Sequence, residues 1–206
     1  MRVARFVLST RNGTNAQISA AAPGATVRVH RLDLGSLASV RESAAELRAS
    51  TPRVDLLINN AGVLTFGAFS ELPLETHLRT VRVNVDGVII GSYTGYPYLK
   101  RTPGAHLINL CSASVIYGQP DLSSYSASKF FVRGLSEALE LEWRADDITV
   151  TALWPLFVAT GMLAGHRTAS TDRLGVRLNA DDVAEEIFKA LQPQRVHRVH
   201  RAVGTQ

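Results

Sequence analysis

Two stretches of the chain decide the fold: His106-Leu-Ile-Asn-Leu-Cys111, which runs directly into Ser112, and Ser123-Ser-Tyr-Ser-Ala-Ser-Lys129. The first is a compact apolar run, typical of a parallel strand that is covered by helices on both faces. The second opens a long segment of helical period, in which Tyr125 and Lys129 are four residues apart and share one face. Because the carboxyl end of a parallel strand borders the crevice in which open α/β sheets bind ligands, Ser112 is a candidate site residue.

The rest of the chain continues this alternation of short apolar runs and helical segments, which predicts βαβ units around a mostly parallel sheet. The strand candidates are Arg5–Ser9, Thr26–Leu32, Val54–Asn59, His106–Cys111 and Ile148–Leu153. Helical periodicity covers Asn15–Ala22, Leu37–Ser50, Leu74–Leu99, Ser123–Arg144 and Ala180–Leu191. Asn179 is suited to cap the last helix, and Asp181 and Asp182 fall in its first turn, where they favour the helix dipole.

Composition narrows the class of protein. With 206 residues, 46% of them hydrophobic and 19% charged, the chain is expected to form one globular domain over residues 1–206. The net charge of +4 lies largely in the last dozen residues, which lack base-stacking aromatics, so a solvated basic terminus is favoured over a nucleic-acid interface. No apolar run approaches the roughly 18 residues of a membrane span. Cys111 is the only cysteine, and we expect a cytoplasmic protein without nucleic-acid or membrane partners.

Two further segments have weaker signals. Residues 161–178 are rich in Gly, Thr, Ser, His and Arg with little periodicity, and predict a long surface loop that forms a substrate lid or a disordered excursion. His197 and His200 have the spacing of two metal ligands, but no third ligand is near, so no metal site is predicted.

The spacing of Tyr125 and Lys129 suits acid/base chemistry. A free tyrosine has a pKa of about 10, too high for ready proton exchange at neutral pH. A neighbouring ammonium stabilises the phenolate, so Lys129 is expected to lower the pKa of Tyr125 toward the range of a general acid/base. Tyr-x-x-x-Lys alone is common on helix faces and would be weak evidence by itself.

Three further elements stand in order with this pair: Asn59-Asn60-Ala61-Gly62 after a strand, then Asn84, then Ser112 thirteen residues before Tyr125. Together they resemble the Asn-Asn-Ala-Gly motif and the Asn-Ser-Tyr-Lys tetrad of the short-chain dehydrogenase/reductase family. The thirteen-residue spacing favours Ser112 over its neighbour Ser114.

The resemblance implies a role for each member of the tetrad. Tyr125 would pass a proton to or from the substrate oxygen while hydride moves to or from the nicotinamide, and Ser112 would hydrogen-bond the same oxygen. Lys129 would lower the tyrosine pKa and hold the nicotinamide ribose, and Asn84 would help to anchor a water-mediated proton relay.

The same resemblance implies a cofactor site, in which Tyr125 and Lys129 also take part. Its other members are Asp33 and Leu34 at the adenine, Asn60, Ala61 and Gly62 at the strand end, and Pro155, Val158 and Thr160 near the carboxamide. Arg11 follows the first strand candidate, where a positive charge suits the 2′-phosphate of NADP and an acidic residue would suit NAD. NADP is therefore expected over NAD.

One family feature is missing from the sequence. The Thr-Gly-x-x-x-Gly-x-Gly turn that holds the pyrophosphate has no match, and the nearest candidate, Thr10–Ala16, has one glycine. Counted back from Asp33, Arg5–Arg11 aligns with the family's second strand. We therefore expect a Rossmann-like three-layer sandwich that lacks its first strand, so that the sheet splits or its second and fourth strands meet. The last strand is not evident after Leu191 either.

Two functions remain open: an NADP-dependent oxidoreductase acting on a small alcohol or carbonyl, and a non-catalytic family remnant that serves as an interaction module. A homodimer or homotetramer is implied by the resemblance, with Tyr93, Tyr96, Phe130, Phe131 and Trp143 as candidate interface residues, although core burial explains them equally well. Phe66, Phe69 and Phe157 suggest an apolar substrate pocket.

Overall fold

Strands and helices alternate along the chain as the sequence predicts. The computed structural model describes residues 5–10, 26–33, 36–50, 53–163, 169–191 and 200–203. The chain forms two compact units, Met1–Pro52 and Arg53–Gln206. The single domain over residues 1–206 stays a prediction.

The first unit contains a pair of parallel strands and a helix. Strand β1 (Arg5–Thr10) pairs with β2 (Thr26–Arg31), and helix α1 (Leu37–Ser50) follows. Both predicted strands are confirmed to within one residue, and the predicted helix is confirmed at both ends. The helix predicted over Asn15–Ala22 lies outside the described residues.

The second unit contains a four-stranded parallel sheet in the order β3-β4-β5-β6. Its strands are β3 (Leu56–Asn59), β4 (Ala105–Leu110), β5 (Ile148–Pro155) and β6 (His200–Val203). Its helices are α2 (Leu74–Val81), α3 (Gly87–Leu99), α4 (Ser123–Trp143), α5 (Ala169–Leu174) and α6 (Ala180–Ala190). A π-helical segment, Arg82–Asp86, joins α2 to α3, and 3₁₀ turns lie at Ala113–Val115 and Arg144–Asp146.

Helices cover both faces of this sheet. Successive side chains of a strand point to opposite faces, and every residue of β4 is buried. Leu107 packs with Leu99 of α3 and Trp143 of α4. Its neighbour Ile108 packs on the other side, in a cluster that includes Ala190 of α6. The predicted three-layer α/β fold with a parallel sheet is confirmed.

The last strand is a correction to the sequence analysis. The strand judged to be absent after Leu191 is present as β6, which pairs in parallel with β5. Its sequence, His-Arg-Ala-Val, sits among alternating basic residues that were interpreted as a solvated tail. Charged residues are typical of strands at the edge of a sheet, and β6 ends the order of the four described strands.

Two other segments differ in part from expectation. The segment predicted as one helix over Leu74–Leu99 is helical throughout, but its middle turn is π-helical rather than α-helical. The loop predicted over residues 161–178 contains helix α5, and its end is fixed by a bridge from Val158 to Leu178. Residues 164–168 of this loop lie outside the described residues.

The predicted cap of α6 is confirmed. The Asn179 side chain accepts hydrogen bonds from the backbone N–H groups of Asp181 at 2.7 Å and Asp182 at 3.1 Å. The Asp182 carboxylate accepts in return from the Asn179 N–H at 2.8 Å, which completes a capping box.

The described strands pair in two separate sheets, β1 with β2 and β3 through β6. The absence of the family's first strand stays a prediction. The nearest candidate for the pyrophosphate turn, Thr10–Ala16, lies outside the described residues except for Thr10, which ends β1.

Candidate functional site

Asn84 lies at the centre of the site and is almost completely buried. It sits in the π-helical turn, where the Gly87 N–H donates to the Arg82 carbonyl five residues back. Such turns widen a helix locally and are frequent at functional sites. Asn84 Oδ1 accepts from the Val63 N–H at 2.8 Å, and Nδ2 donates to the Val63 carbonyl at 3.0 Å. The side-chain amide of Asn84 thus pairs with both backbone groups of Val63, as the backbone of a neighbouring strand would, and holds the segment that follows β3.

The second Nδ2 hydrogen of Asn84 connects the π-turn to α4. It donates to Ser128 Oγ at 3.0 Å, and Ser128 donates in turn to the Tyr125 carbonyl at 2.6 Å. Both donor hydrogens of Asn84 are therefore used within the protein. The side chain joins the end of β3, the π-turn and the first turns of α4.

Tyr125 lies in the first turn of α4, opposite Ser112, which follows β4. Burial raises the pKa of the Tyr125 phenol to about 12, partly opposed by its hydrogen bond with the Ser112 side chain. Ser112 Oγ also accepts from the Ser114 N–H at 3.2 Å. Ser114 itself is buried while Ser112 is partly exposed, so the structure favours Ser112 as the serine of the site.

Lys129 is buried one turn after Tyr125. Its Nζ donates to the Leu110 carbonyl at 2.8 Å and lies 5.7 Å from the centroid of the Tyr125 ring. Burial lowers the pKa of the ammonium. The expectation that Lys129 lowers the pKa of Tyr125 is not met in this structure, because the desolvation of the phenol outweighs the influence of its neighbours.

Gly62 brings the Asn-Asn-Ala-Gly motif to the same place. A Cβ added at Gly62 would lie 3.4 Å from Asn84 Oδ1 and 3.8 Å from Lys129 Nζ. The backbone of this strand end therefore runs beside the two polar groups, while Asn60 and Ala61 are exposed. The site holds an ammonium, a phenol and a hydroxyl beside exposed backbone, a donor set that fits a ribose and a carbonyl oxygen.

The remaining predicted cofactor residues lie in both units or outside the described residues. Asp33 belongs to the first unit, where its N–H donates to Ser39 Oγ at 2.9 Å. Arg11 and Leu34 lie outside the described residues. On the other side, Pro155 ends β5, Val158 forms the bridge to Leu178, and Thr160 is exposed.

Sequence reasoning missed the polar residues that support this site. Ser128 could have been found from its position within the Tyr-x-x-x-Lys stretch, three residues after Tyr125. Asn59 Nδ2 donates to Asn109 Oδ1 at 2.8 Å and to Ser92 Oγ at 3.1 Å, and Asn109 donates to Ser136 Oγ at 2.9 Å. No local sequence pattern predicts this series of hydrogen bonds, because its members come from two strands and two helices.

Among the described residues, no group of three or more His, Cys, Asp or Glu side chains lies close enough together to hold a metal ion. Within the same residues, no helix is both long and apolar enough to cross a membrane. His197 lies outside the described part of the chain.

The chain is similar to known dehydrogenases and reductases. A family model described as short chain dehydrogenase matches residues 3–171. The chain is 29% identical over 170 residues to the meso-2,3-butanediol dehydrogenase of Serratia marcescens, covering 82% of this chain and 67% of that protein. It is 33% identical over 135 residues to the bifunctional ribulose 5-phosphate reductase/CDP-ribitol pyrophosphorylase Bcs1 of Haemophilus influenzae. That match covers 66% of this chain but spans only 28% of the relative's length.

A solved structure supports the same assignment. The 3-ketoacyl-(acyl-carrier-protein) reductase from Brucella melitensis, complexed with NADH, superposes with a TM-score of 0.83 at 26% identity. The match covers 96% of this chain and 85% of that one.

The hydrogen bonds of Asn84 generate a prediction of stability. Asn84→Ala leaves the partly buried Val63 N–H and carbonyl without their side-chain partner and removes the buried bond to Ser128, so the free energy of unfolding is expected to fall by about 2–4 kcal/mol. Urea denaturation monitored by circular dichroism measures it. The control Asn60→Ala changes an exposed asparagine and is expected to cost less than about 0.5 kcal/mol. Equal losses in the two variants would contradict the role given to Asn84.

Proposed function

Because this chain belongs to the short-chain dehydrogenase family, we propose that it interconverts an alcohol and a ketone or aldehyde by hydride transfer with a nicotinamide cofactor. One observation carries the proposal: the Tyr125 ring lies 5.7 Å from the Nζ of the buried Lys129, and Gly62 and Asn84 lie at the same place. The relatives named above are dehydrogenases and reductases, and their activities belong to those proteins.

Tyr125 acts as the general acid in the direction of reduction. Since burial raises the pKa of its phenol to about 12, the group is protonated at neutral pH and ready to give its proton to a carbonyl oxygen. Ser112, already in contact with the phenol, donates a hydrogen bond to the same oxygen and orients it. In the direction of oxidation, the deprotonated form of Tyr125, the phenolate, receives the proton of the alcohol and becomes the phenol again.

Lys129 and Asn84 position the other partners. The cofactor, when bound, supplies or accepts hydride at C4 of its nicotinamide. Lys129, which rests on the Leu110 carbonyl, would hold the hydroxyls of the nicotinamide ribose. Both donor hydrogens of Asn84 are engaged by Val63 and Ser128, so its contribution to a proton relay rests on the remaining lone pair of Oδ1.

The remaining cofactor contacts complete the proposal. Asp33 and Leu34 would hold the adenine, Asn60, Ala61 and Gly62 would contact the cofactor at the strand end, and Pro155, Val158 and Thr160 would contact the carboxamide. Arg11 favours NADP over NAD by pairing with the 2′-phosphate. The structural neighbour bound to NADH supports a nicotinamide cofactor. The proposed preference for NADP over NAD rests on Arg11 alone.

The substrate is a small molecule with an apolar part. Phe69 is 62% exposed after β3, and Phe66 and Phe157 are partly exposed. These rings and the segment 161–178, acting as a lid, would form an apolar wall suited to a lipid-like, steroid-like, retinoid-like or small ketone substrate. A cytoplasmic location fits the single, buried Cys111.

A titration with NADPH tests the proposal. Binding in the micromolar range is expected, monitored by the change in NADPH fluorescence, because the ribose and carboxamide contacts lie within the chain. Lys129→Ala is expected to weaken binding by about tenfold through the loss of an ammonium hydrogen bond. Tyr125→Phe keeps the ring, so it retains binding and loses turnover.

If folded protein shows no binding at millimolar NADPH or NADH, the oxidoreductase proposal fails, and the chain is a non-catalytic remnant of its family.

We further propose that the chain forms a homodimer or homotetramer through α2, α3 and α4. Exposed apolar side chains recur along the first two helices, Leu74, Leu78, Val81, Ile89 and Tyr93, the last of them 80% exposed. Phe130 and Phe131 of α4 are also exposed. Tyr96 and Trp143, by contrast, stack on each other at the core, with ring centroids 4.8 Å apart.

Light scattering coupled to size-exclusion chromatography measures this assembly. The wild type is expected at two or four times its mass of 22.3 kDa. Tyr93→Glu places a charge in the apolar contact and is expected to shift the protein toward monomer. Phe188→Glu is the matched control, since Phe188 is 68% exposed on α6, away from these helices. A monomeric wild type would contradict the assembly.

A further inference from the structure

His77 is a buried polar side chain on α2 that the proposed chemistry does not use. Both of its ring nitrogens have partners: Nδ1 lies 2.7 Å from Ser124 Oγ, and Nε2 lies 3.1 Å from the Phe69 carbonyl oxygen. Because a carbonyl only accepts, Nε2 carries the proton. In the tautomer that carries its proton on Nε2, Nδ1 accepts from the Ser124 hydroxyl.

These two partners belong to two different segments of the chain, both of which adjoin candidate site residues in sequence. Ser124 directly precedes Tyr125 in the first turn of α4. Phe69 belongs to the turn that follows β3, and its ring packs against the imidazole with centroids 4.5 Å apart. A second bond joins the same two segments, from the Gly67 N–H to the Asp121 carbonyl at 2.9 Å.

The amino end of α4 needs such a tie. Its N-cap residue is Leu122, which offers no side-chain acceptor, and no side-chain cap bond is formed. Helix ends without caps leave backbone groups unsatisfied and fray within the first turn. That turn carries Tyr125, whose hydroxyl must meet the substrate oxygen within a fraction of an ångström.

We infer that His77 is a positioning residue for the hydride-transfer reaction: it fixes the Tyr125 turn through Ser124 and holds the Phe69 wall on the substrate side. The inference rests on the proposed function. The two arms have separate consequences. Loss of the Ser124 arm misplaces the acid and lowers kcat, whereas loss of the Phe69 arm loosens the substrate wall and raises KM.

Steady-state kinetics with NADP⁺ separates these arms, using as probes meso-2,3-butanediol, a 3-hydroxysteroid and all-trans-retinol, and continuing with the best substrate. His77→Ala removes both arms, so we expect kcat to fall by about tenfold or more and KM to rise several-fold. Ser124→Ala removes one arm and lowers kcat with KM nearly unchanged. His77→Gln can accept from Ser124 and donate to Phe69, so it restores most of the activity.

His106→Gln is the matched control. His106 is also a buried histidine, bonded through Nε2 to Thr151 Oγ1 at 2.9 Å in the sheet, and burial lowers its pKa to about 4, so it is neutral at the assay pH. Its kinetics are expected to remain within about twofold of the wild type.

The outcomes distinguish the two proposals. Suppose that the wild type is active and that His77→Ala and Ser124→Ala have the same kcat and KM as His106→Gln. That result overturns the positioning role and leaves the proposed function standing. If His77→Ala fails to fold, Ser124→Ala and His77→Gln decide the question by the split between kcat and KM. A folded wild type that turns over none of the probes and binds no NADPH removes the proposed function, and the positioning role with it.

Discussion

The hydrogen bonds of one buried amide hold the candidate site together. Asn84 pairs with both backbone groups of Val63 and with the hydroxyl of Ser128, so it connects the end of β3 with the first turns of α4. Asn84 lies in the π-helical turn, which contains one more residue than a regular helical turn and so widens the helix at this position. Gly62 on one side and Tyr125 on the other take their places from these bonds.

Burial explains the electrostatics of the site. The same desolvation raises the pKa of the Tyr125 phenol and lowers that of the Lys129 ammonium, because each neutral form is favoured away from water. Burial therefore favours the protonated form of the phenol at neutral pH. Lys129 contributes by its hydrogen bonds, since its contact with the Leu110 carbonyl fixes the ammonium near Gly62.

Much of the fold and the tetrad could be predicted from the sequence, since both rest on local patterns. The apolar run of β4 and the helical period of α4 placed Ser112 and Tyr125 correctly at a strand end and a helix start. The π-turn could not be predicted, because Arg82–Asp86 continues an ordinary helical pattern. Strand β6 was missed because its charges resemble a solvated tail, and the partners of His77 are contacts between segments far apart in sequence.

Hydride transfer from the cofactor can be followed by isotope labelling. NADPH carrying deuterium at the transferable C4 position is incubated with the wild-type protein and 2,3-butanedione, all-trans-retinal or a 3-ketosteroid, and the alcohol product is analysed by mass spectrometry. One deuterium per product is expected with the wild type and no product with Tyr125→Phe. Folded wild-type protein that binds NADPH but transfers no deuterium to any of these carbonyls would contradict the account.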